Sequence, residues 1–163
     1  KNLPKMLSIV NKVVEKIPEF KMIILGSGDE RPILMNLIEE YGLDKNIEVK
    51  KTSHQIYDYL MKSKLFILTS RYEGHPVTLL EAMACRTVPV LLKYPGVGEY
   101  LIHGKTGYIE NSEMAMIKRI VLLLKDNKLI TKIGDMAASE VKHRYGVKNL
   151  DQYILALFPK VHE

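Results

Sequence analysis

The sequence predicts an α/β domain in which helices cover both faces of a parallel sheet, followed by three helices. Two observations lead to this prediction. Short apolar runs typical of buried strands alternate with segments whose apolar residues recur at helical spacing, which is the arrangement of repeated strand–helix–strand units. After about residue 110 the strand-like runs stop, while apolar stripes at helical spacing continue.

The first 92 residues contain four predicted strands and four predicted helices. Pro4 suits a first helical turn, Pro18 ends the first apolar stripe, and Gly42 is placed to cap a helix C-terminus. Pro76 suits the first position of a helix because its missing N–H would be unpaired there. In order, we expect a helix over 3–17, a strand over 21–25, a helix over 34–41, a strand over 47–51, a helix over 54–63, a strand over 65–70, a helix over 76–85 and a strand over 88–92.

The last part of the chain predicts three helices with no strand between them. One apolar stripe runs from Ile117 to Leu124 and a second from Leu129 to Val141. A third, from Leu150 to Leu157, predicts a helix over 147–158. No linker or low-complexity tract interrupts the chain, so we interpret residues 1–163 as a single domain.

Composition is that of a soluble globular protein, with 47% hydrophobic and 26% charged residues among 163. Cys85 is the single cysteine, which excludes an internal disulfide and a cysteine-based zinc site and agrees with a cytoplasmic location. No apolar run approaches the roughly 20 residues that a membrane-spanning helix requires, and no signal-peptide layout is present.

The net charge of +5 comes from lysines spread along the chain, a pattern typical of a solvated surface. The second interpretation is attraction to anionic lipid headgroups, hence peripheral contact with the inner face of the membrane, or to phosphorylated substrates. Nucleic acid is not an expected partner, since the chain has no arginine-rich cluster and no tryptophan.

Three polar loops follow predicted strands: 26–30, 69–76 and 93–99. Ligands of open parallel sheets bind at the carboxyl ends of the strands, so these loops predict the site. Glu73 lies in the second loop. Glu81 lies in the second turn of the helix that follows and can lean back toward the same crevice.

The start of that helix also predicts an anion site. The free N–H groups of Val77 and Thr78, together with the helix dipole, would attract a phosphate. Two carboxylates beside an anion site suit a ligand that carries both hydroxyls and phosphate.

Other interpretations of these residues are open at this point. Glu73 can be a solvated loop residue and Glu81 a surface ion-pair partner. The Gly26–Gly28 stretch lacks the third glycine of a dinucleotide fingerprint and is first of all a turn. A metal site is not predicted because His54, His75 and His103 are scattered without acidic or cysteine companions. Hydrolase chemistry is equally unsupported, as Ser53 and Ser70 lack a nucleophile-elbow context.

At RYEGHPVTLLEAMACRTVPV (71–90) the sequence resembles the retaining, nucleotide-sugar-dependent glycosyltransferases of group one, or family four. The resemblance extends along the chain, through Lys1-Asn2, MIILGSGDE (22–30), YDYLMKSKLFILTSRYEG (57–74) and PGVGEYLIHGKTGYI (95–109). It implies the C-terminal half of a GT-B fold, with a Rossmann-like parallel sheet that binds the donor.

The resemblance also implies roles for single residues. Glu81 would hold the ribose hydroxyls of the donor nucleotide, and Glu73 would meet the hydroxyls of the transferred sugar. Lys1 would lie on the diphosphate and stabilise the departing nucleoside diphosphate in place of a metal. The base, phosphate and sugar sites would be shaped by Gly26, Ser27 and Gly28, by Thr52, Ser53 and His54, and by the backbone of Gly74, His75, Pro76 and Val77.

Three residues depart from the family pattern. The family often has Gly-Phe-Gly where this chain has Gly74-His75-Pro76, which removes a backbone donor and introduces a histidine. Arg86 occupies a position that is usually glycine, at a cost of roughly 1 kcal/mol if the left-handed conformation is kept.

Length is the largest departure. GT-B enzymes have two domains, and the resemblance covers only the donor-binding one, without the first strand and the arginine that the family carries ahead of the lysine. We therefore expect a fragment that binds a nucleotide-diphosphate sugar, needs no cofactor, and requires the missing N-terminal domain to pass sugar to a glycan or lipid-linked acceptor. A nucleotide-sugar epimerase of the same fold and a non-catalytic nucleotide-binding module are the alternatives.

Overall fold

The computed structural model describes residues 1–51 and 56–146. The helices are α1 (Leu3–Val14), α2 (Arg31–Glu40), α3 (Ile56–Lys62), α4 (Val77–Ala84), α5 (Glu113–Lys125) and α6 (Asn127–Tyr145), and the strands are β1 (Met22–Leu25), β2 (Ile47–Lys50), β3 (Leu65–Leu68), β4 (Val88–Leu92) and β5 (Tyr108–Glu110). A 3₁₀ turn, Val97–Glu99, lies between β4 and β5. The predicted helix over 147–158 lies outside the described residues.

All strand pairs are parallel, but the described strands form two hydrogen-bonded groups. β1 pairs with β2, and β4 lies between β3 and β5. Alternate side chains of the second group enter different cores. Val88 and Val90 pack with α1 and α5 on one face, whereas Leu91 packs with α4 and α6 on the other. Helices therefore cover both faces of a parallel sheet, which confirms the predicted fold class.

The helix ends follow local sequence signals. α1 ends three residues before the predicted boundary at residue 17, and the chain then turns so that the N–H of Ile17 donates to the carbonyl of Val13 at 2.8 Å. Gly42 caps α2 in the left-handed conformation, as predicted, with φ of 64°. The N–H of Leu43 closes this cap by donating to the carbonyl of Ile38 at 2.9 Å.

The second half contains an element that the sequence did not reveal. β5 extends the sheet beyond β4 with only three residues, a length at which no alternation can be recognised. The following helices were predicted, and each has a side-chain cap at its start: Ser112 accepts from the N–H of Ala115, and Asp126 from that of Leu129. Within the described residues, no helix has the length and apolar character needed to cross a membrane.

Candidate functional site

The carboxyl ends of β3, β4 and β5 meet the start of α1 at one edge of the sheet. A cleft of about 350 Å³ opens there, lined by Lys1, Asn2, Arg71 and Tyr72. We call it the Lys1 cleft. Its walls come from the chain start and from the loop after β3, two segments about 70 residues apart in sequence.

Lys1 and Glu73 meet at this edge. The Lys1 ammonium donates to Oε1 of Glu73 at 2.6 Å, although the residues are 72 positions apart. Thr69, which is buried at the end of β3, fixes the position of the chain start, because its hydroxyl lies 3.2 Å from the carbonyl oxygens of both Lys1 and Asn2. Asn2 adopts the left-handed conformation, with φ of 60°, immediately before α1. The fold thus places a cation and a carboxylate together above the sheet.

The Glu73 carboxylate is held in its charged form. Burial raises the pKa of this carboxyl, but the hydrogen bond from Lys1, the nearby Ser70 hydroxyl and the charge of Lys1 together outweigh burial, so the pKa is lowered from its ordinary value. The Ser70 hydroxyl is buried and lies outside ordinary hydrogen-bond geometry with any described residue, so we regard Lys1 as the stronger of the two contacts. Glu73 is consequently a ready acceptor for hydroxyl groups at neutral pH.

The turn into α4 corrects two expectations. Pro76 is not the first helical residue but the one before it, with φ of −82° and ψ of 64°. These angles are those of an inverse γ-turn, in which the N–H of Val77 donates to the carbonyl of His75 at 2.9 Å. The N–H of Val77 is therefore occupied and not available to an anion. The N–H of Thr78 has no backbone partner among the described residues, so it is the group that stays available.

Glu81 lies in the second turn of α4, as predicted, and is half-buried. Its Oε1 accepts a hydrogen bond from the hydroxyl of Tyr57 at 3.1 Å. This hydrogen bond raises the pKa of Tyr57 above its ordinary value, with a further contribution from the charge of Glu81. Tyr57 is the second residue of α3, so Glu81 faces the first turn of that helix. No described contact joins Glu81 directly to Glu73.

His75 and Tyr94 lie in the loops that follow β3 and β4, respectively. The His75 ring meets the ring of Tyr100 edge-on, and Nδ1 of His75 lies 3.3 Å from the Tyr100 hydroxyl. Tyr94 is only 4% exposed, and its hydroxyl has no hydrogen-bond partner among the described residues. Burial, and then the negative charge of Glu73, raise the pKa of Tyr94 to about 12, so this phenol stays neutral.

The remaining predicted residues divide into two groups. Gly26, Ser27 and Gly28 follow β1 at its carboxyl end, where the N–H of Gly26 donates to the carbonyl of Lys50 at 3.0 Å and open space surrounds both glycines. Thr52, Ser53 and His54 lie outside the described residues. Among the residues that are described, no three His, Cys, Asp or Glu side chains converge in a way that could hold a metal ion.

Three residues of the site, Tyr57, Arg71 and Tyr94, were not predicted from the sequence. Arg71 stands next to the recognised motif and lines the Lys1 cleft, so proximity to the motif was an available signal. Tyr57 lies in the recognised stretch 57–74 and Tyr94 in the polar loop 93–99, but neither position indicates that the packing of α3 brings Tyr57 to Glu81.

Comparison with known proteins agrees with this fold. The sequence model of the family described as "Glycosyl transferases group 1" matches residues 1–140. The chain is 27% identical over 162 residues to a poly(ribitol-phosphate) alpha-N-acetylglucosaminyltransferase of Staphylococcus aureus, an alignment that covers 97% of this chain and 33% of the relative. The chain thus spans about a third of that relative's length.

Solved structures share the same architecture. Staphylococcus aureus TarM, in a mutant form solved with UDP, fondaparinux and alpha-GlcNAc-glycerol, superposes with a TM-score of 0.90 at 24% identity, over 97% of this chain and 33% of that one. The C-terminal domain of a group 1 family glycosyl transferase (LpcC) from Francisella tularensis superposes with a TM-score of 0.74 at 21% identity, over 88% of this chain and 78% of that one.

At these identities the structures support the fold, whereas the family assignment rests on the sequence model, which covers most of the chain. Lys1, Glu73 and Glu81 all lie within the matched residues. This chain belongs to the group 1 glycosyl transferases.

Proposed function

We propose that this chain is the donor-binding domain of a retaining glycosyltransferase that passes sugar from a nucleotide-diphosphate sugar to a glycan or lipid-linked acceptor. A second domain of the same enzyme would hold much of the acceptor. The name of the staphylococcal relative, a sugar transferase that acts on a polymer, supports this class of reaction. A location in the cytoplasm, with peripheral contact at the inner face of the membrane, is part of the proposal.

One observation carries the proposal: the Lys1 ammonium and the Glu73 carboxylate lie 2.6 Å apart. In a nucleotide-diphosphate sugar, a single glycosidic oxygen joins the diphosphate to the sugar. A cation for the phosphate and a carboxylate for the sugar hydroxyls must therefore be neighbours. On binding, the donor would replace this ion pair with a contact to each of the two groups.

The reaction assigns each group a task. The acceptor hydroxyl forms a bond to the anomeric carbon while the bond from that carbon to the diphosphate breaks, and the nucleoside diphosphate leaves with the electron pair. The acceptor proton passes to the departing phosphate. Lys1 stabilises the charge that develops on the diphosphate, without a metal ion, and Glu73 orients the sugar. Glu81 would bind the ribose hydroxyls, with the Tyr57 hydroxyl holding its carboxylate in place.

Binding of nucleoside diphosphates by the whole enzyme tests this proposal. We expect UDP, the first nucleotide to try, to bind in a calorimetric titration. Glu81→Ala should weaken that binding at least tenfold, because two hydrogen bonds from the ribose to a charged group are lost. Glu40→Ala is the matched control: Glu40 ends α2 at the opposite edge of the sheet and is exposed, so its removal should leave the affinity unchanged.

Two results would contradict the proposal. One is a folded enzyme that binds no nucleoside diphosphate from a panel of bases, or that binds equally well after Glu81→Ala. The other is rapid conversion of a labelled donor to its epimer when no acceptor is supplied, which would identify an epimerase.

A further inference from the structure

A second cleft, of about 550 Å³, lies beside the Lys1 cleft. Its volume is within the range of small-molecule sites. The wall comes from the carboxyl ends of β3, β4 and β5 and from the first turns of α1 and α5. Its charged and polar lining includes Asn2, Lys5, Arg71, Lys93, Glu110 and Glu113. We call it the Lys93 cleft.

Both acidic residues of the Lys93 cleft are already paired. Glu110 is 8% exposed, and its Oε1 accepts from Nε of Arg119 at 2.8 Å. Glu113 accepts from the Lys5 ammonium at 2.6 Å. Internal cations thus neutralise the negative charge of this wall, so neither carboxylate is left to repel an anion.

Two cations of the same cleft, Arg71 and Lys93, make no ion pair or side-chain hydrogen bond with any part of the chain that the structure describes. Lys93 follows β4 and its backbone is fixed, because its N–H donates to the carbonyl of Glu110 at 2.9 Å. Arg71 follows β3 only two residues before Glu73. The unpaired charge of the cleft is therefore positive, and it sits at defined positions of the fold.

The two helices that begin at this cleft add to its positive electrostatic potential. α1 has 12 residues and α5 has 13, and both direct their N-terminal ends toward the lining. Helix N-termini carry partial positive charge. Unpaired side-chain cations, neutralised acids and helix dipoles together make a volume that favours an anion.

The position of this cleft indicates which anion it would bind. It shares Asn2 and Arg71 with the Lys1 cleft, and Ser70, which lines it, directs its hydroxyl near Glu73. A ligand here would lie next to the diphosphate and the reacting sugar, which is where an acceptor must approach. We propose that the Lys93 cleft binds a phosphate group of the acceptor, with Arg71 and Lys93 as its cationic contacts.

This inference rests on the proposed function, because it takes the Lys1 cleft as the donor site. A tetrahedral phosphate can accept from the Arg71 guanidinium and the Lys93 ammonium at once, and the guanidinium geometry matches phosphate oxygens. The phosphate can belong to a phosphodiester chain or to the diphosphate of a lipid carrier. An acceptor that carries no phosphate would leave both cations unused.

Binding of small phosphates to the whole enzyme tests the inference. With UDP at saturation, so that the donor phosphate site is filled, sn-glycerol 3-phosphate and geranyl diphosphate are titrated separately, with glycerol as the uncharged probe. The readout is the change in the backbone amide NMR shifts of Lys93 and Glu113, which reports millimolar binding. We expect shift changes with either or both phosphates and none with glycerol; the tighter phosphate identifies the source of the group.

Lys93→Gln and Arg71→Gln should each weaken that phosphate binding about tenfold, the loss expected for one charge-assisted hydrogen bond. Lys105→Gln is the matched control, since Lys105 precedes β5 and is exposed at the opposite edge of the sheet. Thermal unfolding of each variant verifies that the fold is intact.

The inference is overturned if UDP binds and neither phosphate shifts these amides, or if Lys93→Gln binds phosphate as tightly as Lys105→Gln. A failure of UDP itself to bind would remove the proposed function and this inference together. The two failures are therefore distinguishable.

Discussion

Glu73 is a largely buried carboxylate that pairs with one exposed lysine, Lys1. The side chain of Glu73 is 12% exposed and that of Lys1 is 61% exposed, so water screens one partner of the pair. Screening limits the stabilisation by such a pair to about 1 kcal/mol or less. We infer that the ion pair positions the two groups for a ligand more than it stabilises the fold.

The pH dependence of stability tests this view. The pKa of Glu73 in the folded chain is below its ordinary value of 4.5, so the stabilisation should be fully present above about pH 4.5 and lost as pH falls through the folded pKa. Glu73→Gln should therefore lower the free energy of unfolding by about 0.5–1 kcal/mol at neutral pH, and by less below pH 4.5. Urea denaturation at several pH values measures the difference.

Glu15→Gln is the control for this prediction. Glu15 pairs with Lys12 at the same distance of 2.6 Å, but both side chains are about half exposed. Its loss should change stability by only about 0.3 kcal/mol. If the unchanged protein instead gained free energy of unfolding relative to Glu73→Gln as pH falls, the pKa of Glu73 would be raised rather than lowered.

At the residue scale, the sequence predicted those site residues that lie in or beside a recognisable motif. Glu73, Glu81 and Lys1 were predicted from their positions around recognisable stretches, although their roles stay predictions. The occupied N–H of Val77 could not be predicted in the same way, because proline at either of two positions fits a helix start. Only the backbone angles of Pro76 distinguish an inverse γ-turn from a first helical turn.

At the element scale, α6 packs closely against the turn that follows α4. Arg86, two residues after the end of α4, adopts the left-handed conformation with φ of 62°, so the expected geometry is kept without the usual glycine. The N–H of Thr87 donates back to the carbonyl of Ala82 at 3.0 Å and closes this cap. Gly134 of α6 lies directly against the Arg86 carbonyl, so the lack of a side chain at residue 134 is what allows the approach.

Gly134→Ala should destabilise the protein. A Cβ atom at this position would lie 2.3 Å from the Arg86 carbonyl oxygen, a contact that backbone must move to relieve. Such overpacking costs about 1–3 kcal/mol, which exceeds the gain of about 1 kcal/mol that alanine brings to a helix interior. We therefore expect a lower melting temperature in thermal unfolding.

Ser139→Ala is the control on the same helix, since Ser139 is exposed and its replacement changes helix propensity alone. It should be neutral or slightly stabilising. A stabilised Gly134→Ala variant would mean that the two helices are farther apart than described.

Elements were predictable in proportion to their length and periodicity. The two long helices α5 and α6 gave clear stripes and were predicted, whereas β5, with three residues, was not. Helix α1 was predicted too long because Ile17 continues the apolar pattern, although the chain has already turned after Val14. Burial of Ile17 in the same core explains why its pattern persists beyond the helix.

At the scale of the whole molecule, β1 and β3 are edge strands with the apolar composition that is typical of central strands. Both are apolar, and side chains of both pack against the core beneath α1 and α5. Neither has a strand on its second side among the described residues. We propose that in the whole enzyme a further strand pairs with both β1 and β3 and joins the two sheets.

Amide hydrogen exchange tests whether a strand joins these edges. In a parallel strand, successive N–H groups point to opposite sides. The N–H of Met22 donates to Asn46 and that of Gly26 to Lys50, so the N–H groups of Ile23 and Leu25 face away from β2. By the same alternation Leu65 and Ile67 direct theirs away from β4, since the N–H of Val88 donates to Lys64.

We expect these four amides, of Ile23, Leu25, Leu65 and Ile67, to exchange quickly in the chain of residues 1–163, and the N–H of Ile24, which faces β2, to exchange slowly. In the whole enzyme, all five should be protected, because a strand between β1 and β3 would accept from both edges. Equal protection of Ile23 and Ile24 in the short chain would mean that the edges are already covered. Fast exchange of the four edge amides in the whole enzyme would instead show that the two sheets stay separate.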